Sequence, residues 1–369
     1  MRVLLIISEA PPVKSGIARV AEHMLAEFPA YGHEVDVFSY QDVGTWQYRE
    51  LRLSNAFAYL PTLWQRMQSY DIVHIHGPAP TFSDVLLLGL GAHPRHPRLV
   101  YTFHFPIALP GFMVPSRIYN WLNFQFARLA DHVTATSPSY AQVLTRYLPP
   151  QRVSVVPSGA DYARFASKDA KPEGYRILFV GQMRATKGLQ VLLRAYQGIE
   201  GAHLDVVGSS DAEPRYRKLA QDLGLRNITF HGRVSDEKLA ALYRQAHVFV
   251  LPAITPGEAF GVVQLEAMAA GCVSIASDLP GVRDVAGDVG YTFPPGDHAA
   301  LKKLLLYLRD HPEERARRAA RGPQWAQRFT WKNTVALYEA LYQRLLAGEV
   351  VANDLSRFPA PRVLPESVS

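Results

Sequence analysis

The chain has 369 residues, of which 48% are hydrophobic and 20% charged, and its formal net charge is +6. This is the composition of a globular protein long enough for two domains, and the basic excess is spread along the chain, which argues against a protein that binds duplex nucleic acid. The single cysteine, Cys272, excludes an intrachain disulfide, and no run of about 18 apolar residues is present to span a membrane.

The first residues, MRVLLIIS, are too short for a signal peptide and lead directly into a pattern typical of a strand. A chain with one cysteine also fits a reducing compartment. We therefore expect a cytoplasmic protein.

The first 165 residues alternate short β-rich runs with helical patterns, which predicts a parallel sheet with helices on both faces. Ser137-Pro138 predicts a helix start, with serine as the N-cap and proline in the first turn. An apolar stripe predicts a helix after the first strand and consists of Ile17, Val20, Met24, Leu25 and Phe28. The predicted strands are Val3–Ser8, Val35–Tyr40, Asp71–His76, Leu99–His104, Val133–Ser137 and Val153–Pro157.

Residues 158–174 are polar and rich in glycine, proline and charge, which predicts an interdomain hinge. The alternation then restarts and predicts a second doubly wound domain over 166–330, and such domains bind ligands at the carboxyl ends of their strands. A last helix is predicted over 331–349, and 350–369 are predicted to be a disordered tail. The predicted strands of the second domain are Arg176–Val180, Leu204–Val207, Ile228–Phe230, Val248–Leu251 and Val273–Ala276.

The segment PGEAFGVVQLEAMAAG follows a buried strand and contains two glutamates. Its small helix-forming residues predict that Glu266 lies inside a helix, while Glu258 lies in the preceding loop. The corner at Phe260, Gly261 and Val262 is then the helix N-terminus, where free N–H groups favour an anion. Glu266 would lie about 6–8 Å below this corner, about the distance from a diphosphate to the ribose of the same nucleotide. The structural alternative is a chance pair of glutamates on a solvated helix.

Two further loops at strand ends have residues suited to a ligand. Gly16, after the first strand, lets the backbone approach a ligand closely, although a plain turn would explain it equally well. Lys187 and Arg184, after the first strand of the second domain, are both able to reach phosphate oxygens.

Three histidines lie on predicted strands of the first domain. His104 ends its strand at the carboxyl tip and therefore lies at the predicted ligand-binding edge, although a lone histidine there is more often structural. His74 and His76 share one face of their strand, which makes a metal pair conceivable. The sequence shows no third ligand for them, so we expect no metal at this pair.

The glutamate pair, with Phe260-Gly261 between its members, resembles the signature of the retaining GT-B glycosyltransferases of family 4. The resemblance covers roughly residues 1–345. It departs from the family pattern at Gln182, where the family has an arginine that helps to neutralise the diphosphate. Segments similar to family patterns are Thr102–His104, Val155–Phe165, Val180–Gly188, His231–Pro252 and Ala276–Asp297.

The resemblance implies a role for each matching residue. Glu258 would face the donor sugar and Glu266 would bind the ribose. His104 would lie beside the reacting carbon, so it and Glu258 are the implied catalytic residues. The expected donor-binding residues are Gly16, Arg184, Lys187, Val234, Phe260, Gly261, Val262 and Glu266.

The resemblance also implies the fold and the reaction. The expected α/β fold is GT-B, with two Rossmann-like domains facing a cleft: an acceptor domain over 1–165 and a nucleotide-sugar domain over 166–330, with the last helix crossing back to the first. The expected reaction moves a sugar, with retention, from a nucleoside-diphosphate sugar to a hydroxyl of a glycan or lipid-linked acceptor. The chain contains no Asp-x-Asp, so we expect neither a metal nor a cofactor.

Two alternatives stay open. The first is a regulatory or binding subunit that keeps the fold without turnover, and Gln182 is the reason to consider it. The second is a nucleotide-sugar epimerase of the same architecture, against which the glutamate pair argues. Donor hydrolysis separates an enzyme from a subunit, and sugar transfer separates a transferase from an epimerase.

Residues 85–130 contain no aspartate or glutamate, and they include the apolar piece Phe105–Pro115. Arginines and aromatics beside exposed apolar surface suit an anionic membrane, which predicts a peripheral contact with its inner face. The alternative is that these aromatics pack the core of the first domain. The residues concerned are Arg95, Arg98, Arg117 and Arg128, with Tyr101, Phe103, Phe105, Phe112, Tyr119, Trp121, Phe124 and Phe126.

Overall fold

The computed structural model describes residues 1–13, 15–48, 51–107, 113–167 and 170–349. Within these residues the chain forms two compact units. Unit 1 consists of 1–159 and 331–349, and unit 2 consists of 160–330. Among the residues described, no helix has both the length and the apolarity needed to cross a bilayer.

Unit 1 is built on a parallel sheet. In chain order its strands are β1 (Arg2–Ile6), β2 (Glu34–Phe38), β3 (Thr45–Tyr48), β4 (Leu51–Ser54), β5 (Ile72–Gly77), β6 (Arg98–Phe103), β7 (His132–Ala135) and β8 (Val153–Val155). Within the described residues, six of them form the sheet in the order β2-β1-β5-β6-β7-β8, and β3 pairs with β4 in an antiparallel ribbon. Every residue of β5 is buried, as expected for a parallel strand covered on both faces. The strand order reverses between β1 and β5, where sheets of this type bind ligands.

The helices of unit 1 that precede unit 2 are α1 (Gly16–Glu27), α2 (Leu60–Met67), α3 (Ser83–Gly91), α4 (Met113–Ala127) and α5 (Pro138–Leu144). Ser137 caps α5 and Pro138 occupies its first turn, which confirms the predicted helix start. The predicted stripe on α1 is buried or half-buried except at Leu25. Leu25 is exposed because its neighbour Met24 faces the core, and consecutive helical residues point about 100° apart.

Unit 2 repeats the doubly wound pattern. Its strands are β9 (Tyr175–Val180), β10 (Ala202–Val207), β11 (Ile228–Gly232), β12 (Val248–Leu251), β13 (Val273–Ser277) and β14 (Tyr291–Phe293). They form a parallel sheet in the order β11-β10-β9-β12-β13-β14. Its helices are α6 (Tyr162–Phe165), α7 (Leu189–Tyr196), α8 (Glu213–Asp222), α9 (Asp236–Gln245), α10 (Val262–Ala269), α11 (Val282–Ala286), α12 (His298–Asp310) and α13 (Pro312–Gln327).

The last helix, α14 (Trp331–Leu346), returns to unit 1. Its side chains Val335, Tyr338 and Tyr342 lie in one buried cluster with Val3 and Leu5 of β1. The helix therefore completes the core on one face of the first sheet.

All eleven strands predicted from the sequence are present. The β3–β4 ribbon and β14 were not predicted, because short exposed strands and a three-residue strand lack a continuous apolar run. The division between units lies at 159/160, ahead of the predicted boundary at 165/166, because Phe165 of α6 packs against Tyr243 in the core of unit 2. The hinge over 158–174 stays a prediction, and the predicted tail at 350–369 lies outside the described residues.

Candidate functional site

The loop between β12 and α10 has the geometry of an anion site at the carboxyl edge of unit 2. Gly261, the N-cap of α10, has a φ of 76°, and a Cβ there would lie 2.8 Å from the side chains of Leu251 and Gln264. Glycine is therefore required for the chain to turn into the helix at this point. The first N–H groups of α10 have no acceptor within the helix, which favours an anion in front of Val262.

Lys187 and Glu258, which the sequence assigned to phosphate and sugar, form an ion pair in unit 2. Their side chains are 26% and 17% exposed, so the pair is partly shielded yet reachable from solvent. Gly188 has a φ of 71°, and a Cβ at this position would overlap the carbonyl oxygen of Pro252. The N–H of Ile254 donates to the carbonyl of the residue before Lys187 at 2.9 Å. These contacts join the loop after β9 to the loop after β12, and so bring the backbones that bear the two charges close together.

Glu266 lies inside α10, as predicted, and its side chain is buried. The hydroxyl of Tyr243 on α9 donates to Oε2 of Glu266 at 3.0 Å, which holds the carboxylate in one orientation. Burial and the nearby carboxylate raise the pKa of Tyr243 well above its usual value, so this hydroxyl remains a donor. A carboxylate offers about four acceptor positions, and the Tyr243 hydroxyl occupies one of them. Tyr243 carries no sequence signal that would have singled it out.

The other predicted donor-binding residues of unit 2 differ in which of their groups a ligand can reach. The side chain of Phe260 is buried against Phe329, so only its backbone is available to a ligand. Val234 is half-buried between β11 and α9. Gln182 and Arg184 are exposed, and within the described residues the Arg184 side chain has no hydrogen bond or ion pair. Arg184 is therefore unconstrained, in contrast to Lys187.

In unit 1, His104 lies immediately after β6 in a small pocket at the carboxyl edge of the sheet. Ser8, Ile17, Gly77 and Phe105 line this pocket with it. Its Nε2 lies 3.0 Å from Nδ1 of His76, and its main-chain N–H donates to the carbonyl of Gly77 at 2.9 Å. Burial lowers the pKa of His104 to about 4, so the ring is neutral near pH 7.

Gly16 begins α1, whose N-cap is Ser15. The structure places no atom within 4 Å of where a Cβ of Gly16 would lie, and its φ is not positive. Neither internal packing nor backbone conformation therefore demands glycine here, which leaves close approach by a ligand as an explanation.

His74 contacts side chains of the core. Its Nδ1 lies 2.5 Å from the hydroxyl of Tyr342, and its Nε2 lies 2.7 Å from that of Thr102. Both ring nitrogens are thus engaged, and burial lowers the pKa of His74 to about 3. Among the described residues, no three or more His, Cys, Asp or Glu side chains come together in a way that could hold a metal ion.

A second buried polar group in unit 1 was not predicted. Asp84, in the first turn of α3, accepts hydrogen bonds from Tyr119 and from Asn123, both on α4. Tyr101 of β6 donates to Asn123 at 3.0 Å. Burial raises the pKa of Asp84 to about 6. This network connects α4 to the sheet. Its members lie on three separate elements, α3, α4 and β6, so no local pattern in the sequence predicts it.

Comparison with known proteins identifies the family and the fold. Residues 14–164 match the family model described as Glycosyltransferase Family 4, and residues 163–325 match that of the glycosyl transferases group 1. Anabaena HepE in complex with UDP-glucose has the same fold, with a TM-score of 0.69 and 17% identity, over 94% of this chain and 100% of that one.

Two curated relatives are each 31% identical to the chain. One is the D-rhamnosyltransferase WbpZ of Pseudomonas aeruginosa, with matches over 66% of this chain and 65% of that protein. The chain thus spans just under two thirds of that relative's length. The other is the phosphatidyl-myo-inositol mannosyltransferase of Mycolicibacterium smegmatis, over 76% and 72%. The fold and these matches define a GT-B glycosyltransferase. The chain belongs to glycosyltransferase family 4, as its glutamate signature predicted.

Proposed function

We propose that this protein is a retaining, metal-independent glycosyltransferase that moves a sugar from a nucleoside-diphosphate sugar to a hydroxyl of a glycan or lipid-linked acceptor. The observation that carries the proposal is the ion pair of Lys187 with Glu258 beside the open N-terminus of α10. A cation for phosphate and a carboxylate for sugar hydroxyls are thereby held together in one unit. Anabaena HepE, which shares the fold, is described in complex with UDP-glucose, which supports a nucleotide-sugar donor.

In this proposal the donor binds along the carboxyl edge of unit 2. The ribose hydroxyls donate to Glu266, and the diphosphate lies at the N–H groups of Val262 and at Lys187. Without Lys187, Glu258 would repel the diphosphate, because both are negative. The lysine therefore lets a sugar-binding carboxylate lie near the phosphates.

The proposed reaction is the one that the family resemblance implies. The bond between the anomeric carbon and the diphosphate oxygen breaks, and a bond from the acceptor oxygen forms on the same face of the sugar. The acceptor proton passes to the departing phosphate oxygen. Lys187, with Arg184 and the α10 N-terminus, stabilises the charge that develops on the diphosphate, which is the task a metal performs in other transferases. Glu258 binds hydroxyls of the donor sugar, and His104 lies beside its reacting carbon.

A membrane contact is proposed for α4. Its exposed side chains Val114, Ile118 and Trp121 are 64%, 57% and 51% accessible, and their spacing of three and four residues places them on one face. Arg117 is exposed on the same helix. An apolar helical face with arginine and tryptophan suits an anionic lipid interface. The named mannosyltransferase relative acts on phosphatidyl-myo-inositol, which supports a lipid-linked acceptor.

The aromatic residues predicted for this contact were interpreted either as membrane-binding residues or as part of the core of the first domain. Most of them pack the core or partly cover it, and among the described ones only Trp121 is largely exposed. Phe112 and most of the piece before α4 lie outside the described residues. The helix face, and not the loop that precedes it, therefore carries the proposal.

The function is tested by a thermal-shift screen with UDP, GDP, ADP and their common sugars, followed by transfer assays with the donor that stabilises most. We expect one nucleotide to raise the melting temperature, and its sugar to be turned over in EDTA. Binding without hydrolysis or transfer would favour the non-catalytic subunit, for which Gln182 and the unconstrained Arg184 are the specific observations. A strict requirement for Mg²⁺ or Mn²⁺ would contradict the metal-free mechanism.

A further inference from the structure

The ring of His104 has one side-chain partner among the described residues, His76 of the neighbouring strand β5. The two rings are joined by the contact between Nδ1 of His76 and Nε2 of His104, 3.0 Å apart, and their centroids are 5.2 Å apart. Both side chains are buried. The orientation of the His104 ring therefore depends on its neighbour.

The direction of this hydrogen bond follows from an unpaired atom. His76 Nε2 is buried and has no hydrogen-bond partner within the described residues. Burial lowers the pKa of both rings, so each is neutral and has one N–H and one bare nitrogen. An orphaned buried N–H is rarer in proteins than an orphaned acceptor. The unpaired Nε2 therefore favours the arrangement in which His76 has its proton on Nδ1 and donates it to Nε2 of His104, with the proton of His104 on its own Nδ1.

We propose that His76 is a positioning residue that fixes the ring orientation and the Nδ1–H tautomer of His104, so that His104 serves the donor sugar as a hydrogen-bond donor and not as a base. The proposal rests on the function proposed above, in which His104 serves the sugar. The lone pair that a base would use is occupied by His76. The N–H on Nδ1 is then what this ring offers to a sugar oxygen in its pocket.

His74 provides a matched control. It lies two residues from His76 on the same face of β5, is equally buried, and packs against its ring with centroids 4.2 Å apart and the ring planes tilted by 43°. Its ring nitrogens contact Tyr342 and Thr102, and not His104. A substitution at His74 disturbs the same part of the core without removing the donor to His104.

The first test is the tautomer of His104 in the unliganded full-length protein, measured by two-bond ¹H–¹⁵N correlation on ¹⁵N-histidine-labelled protein. The signal is assigned by its loss in His104→Ala. We expect the Nδ1–H form in the wild type and in His74→Asn, and a mixture of both tautomers in His76→Leu. His76→Asn should restore the Nδ1–H form, because its amide N–H stands near the position of the imidazole Nδ1. An Nε2–H form of His104 in the wild type would overturn the proposal, and this spectrum requires no variant of His76 to fold.

The second test separates kcat from KM. His76→Leu should lower kcat about 10-fold, the equivalent of one buried hydrogen bond, with the KM for the donor nearly unchanged, and His76→Asn should recover most of it. A folded His76→Leu protein with wild-type kcat would also overturn the proposal. If His104→Ala itself retains full turnover, the role assigned to His104 in the proposed function fails, and the tautomer spectrum still decides whether His76 sets the ring.

Discussion

Replacement of Glu266 by glutamine tests the nucleotide-binding role of unit 2. The substitution keeps the shape and the hydrogen bond from Tyr243, so the buried site in α10 should remain folded. It removes the charge that would accept the ribose hydroxyls. A hydrogen bond to a charged group contributes about 1.5–3 kcal/mol and one to a neutral group about 0.5–1.5 kcal/mol, so the exchange should weaken nucleotide binding roughly 5- to 10-fold. Tyr243→Phe, which removes the hydrogen bond that orients the carboxylate, should weaken binding by about 2- to 10-fold.

The assay is isothermal titration calorimetry with whichever of UDP, GDP and ADP stabilises the wild type most. Glu314→Gln is the control, because Glu314 also accepts a tyrosine hydroxyl, from Tyr291 at 3.0 Å, but belongs to α13 and is not part of the proposed site. This variant is expected to bind nucleotide with wild-type affinity. An unchanged Kd in folded Glu266→Gln would refute the ribose assignment and with it the proposed direction of the donor along α10.

Three other predictions concern the sugar, the diphosphate and the membrane. Glu258→Gln and His104→Ala should each lower kcat at least 10-fold while the Kd of the free nucleotide changes little, and a folded variant with wild-type turnover refutes that residue's role. Lys187→Ala should weaken diphosphate binding about 10-fold or more. An equal loss of binding in Arg184→Ala would show that Arg184 replaces the missing arginine. If Arg184→Ala binds diphosphate as the wild type does, Arg184 is a surface residue without this role. Ile118→Asp should abolish flotation with anionic but not neutral liposomes, with the exposed Leu88→Asp as control, and absence of wild-type flotation at low salt would contradict the contact.

Much of the fold could be predicted because its signals are local. Strands such as β1 and β12 consist mostly of apolar residues, and the turn into α10 is indicated by Gly261, which has a positive φ. The start of α5 is also predicted locally, because Ser137 indicates the N-cap and Pro138 the first turn. Such features depend on residues a few positions apart, so they are visible in the sequence.

The contacts within the candidate site could not be predicted, because they join distant segments. Lys187 and Glu258 were assigned separately, and their loops are joined by the close approach of Gly188 to Pro252 and by the hydrogen bond from Ile254. Tyr243 orients Glu266 from another helix. The sequence suggested His76 only as half of a metal-binding pair, which was judged unfavourable. In the structure its side-chain partner is the ring of His104 on the next strand.

The central claim, metal-free transfer with retention, is tested most directly by donor hydrolysis followed by ¹H NMR in EDTA. This measurement requires no knowledge of the acceptor, because water takes its place. With an α-linked nucleotide sugar, the account predicts that the first sugar released is the α anomer, before mutarotation, and that EDTA leaves the rate unchanged. Release of the β anomer first, or loss of hydrolysis in EDTA that Mg²⁺ restores, would contradict it.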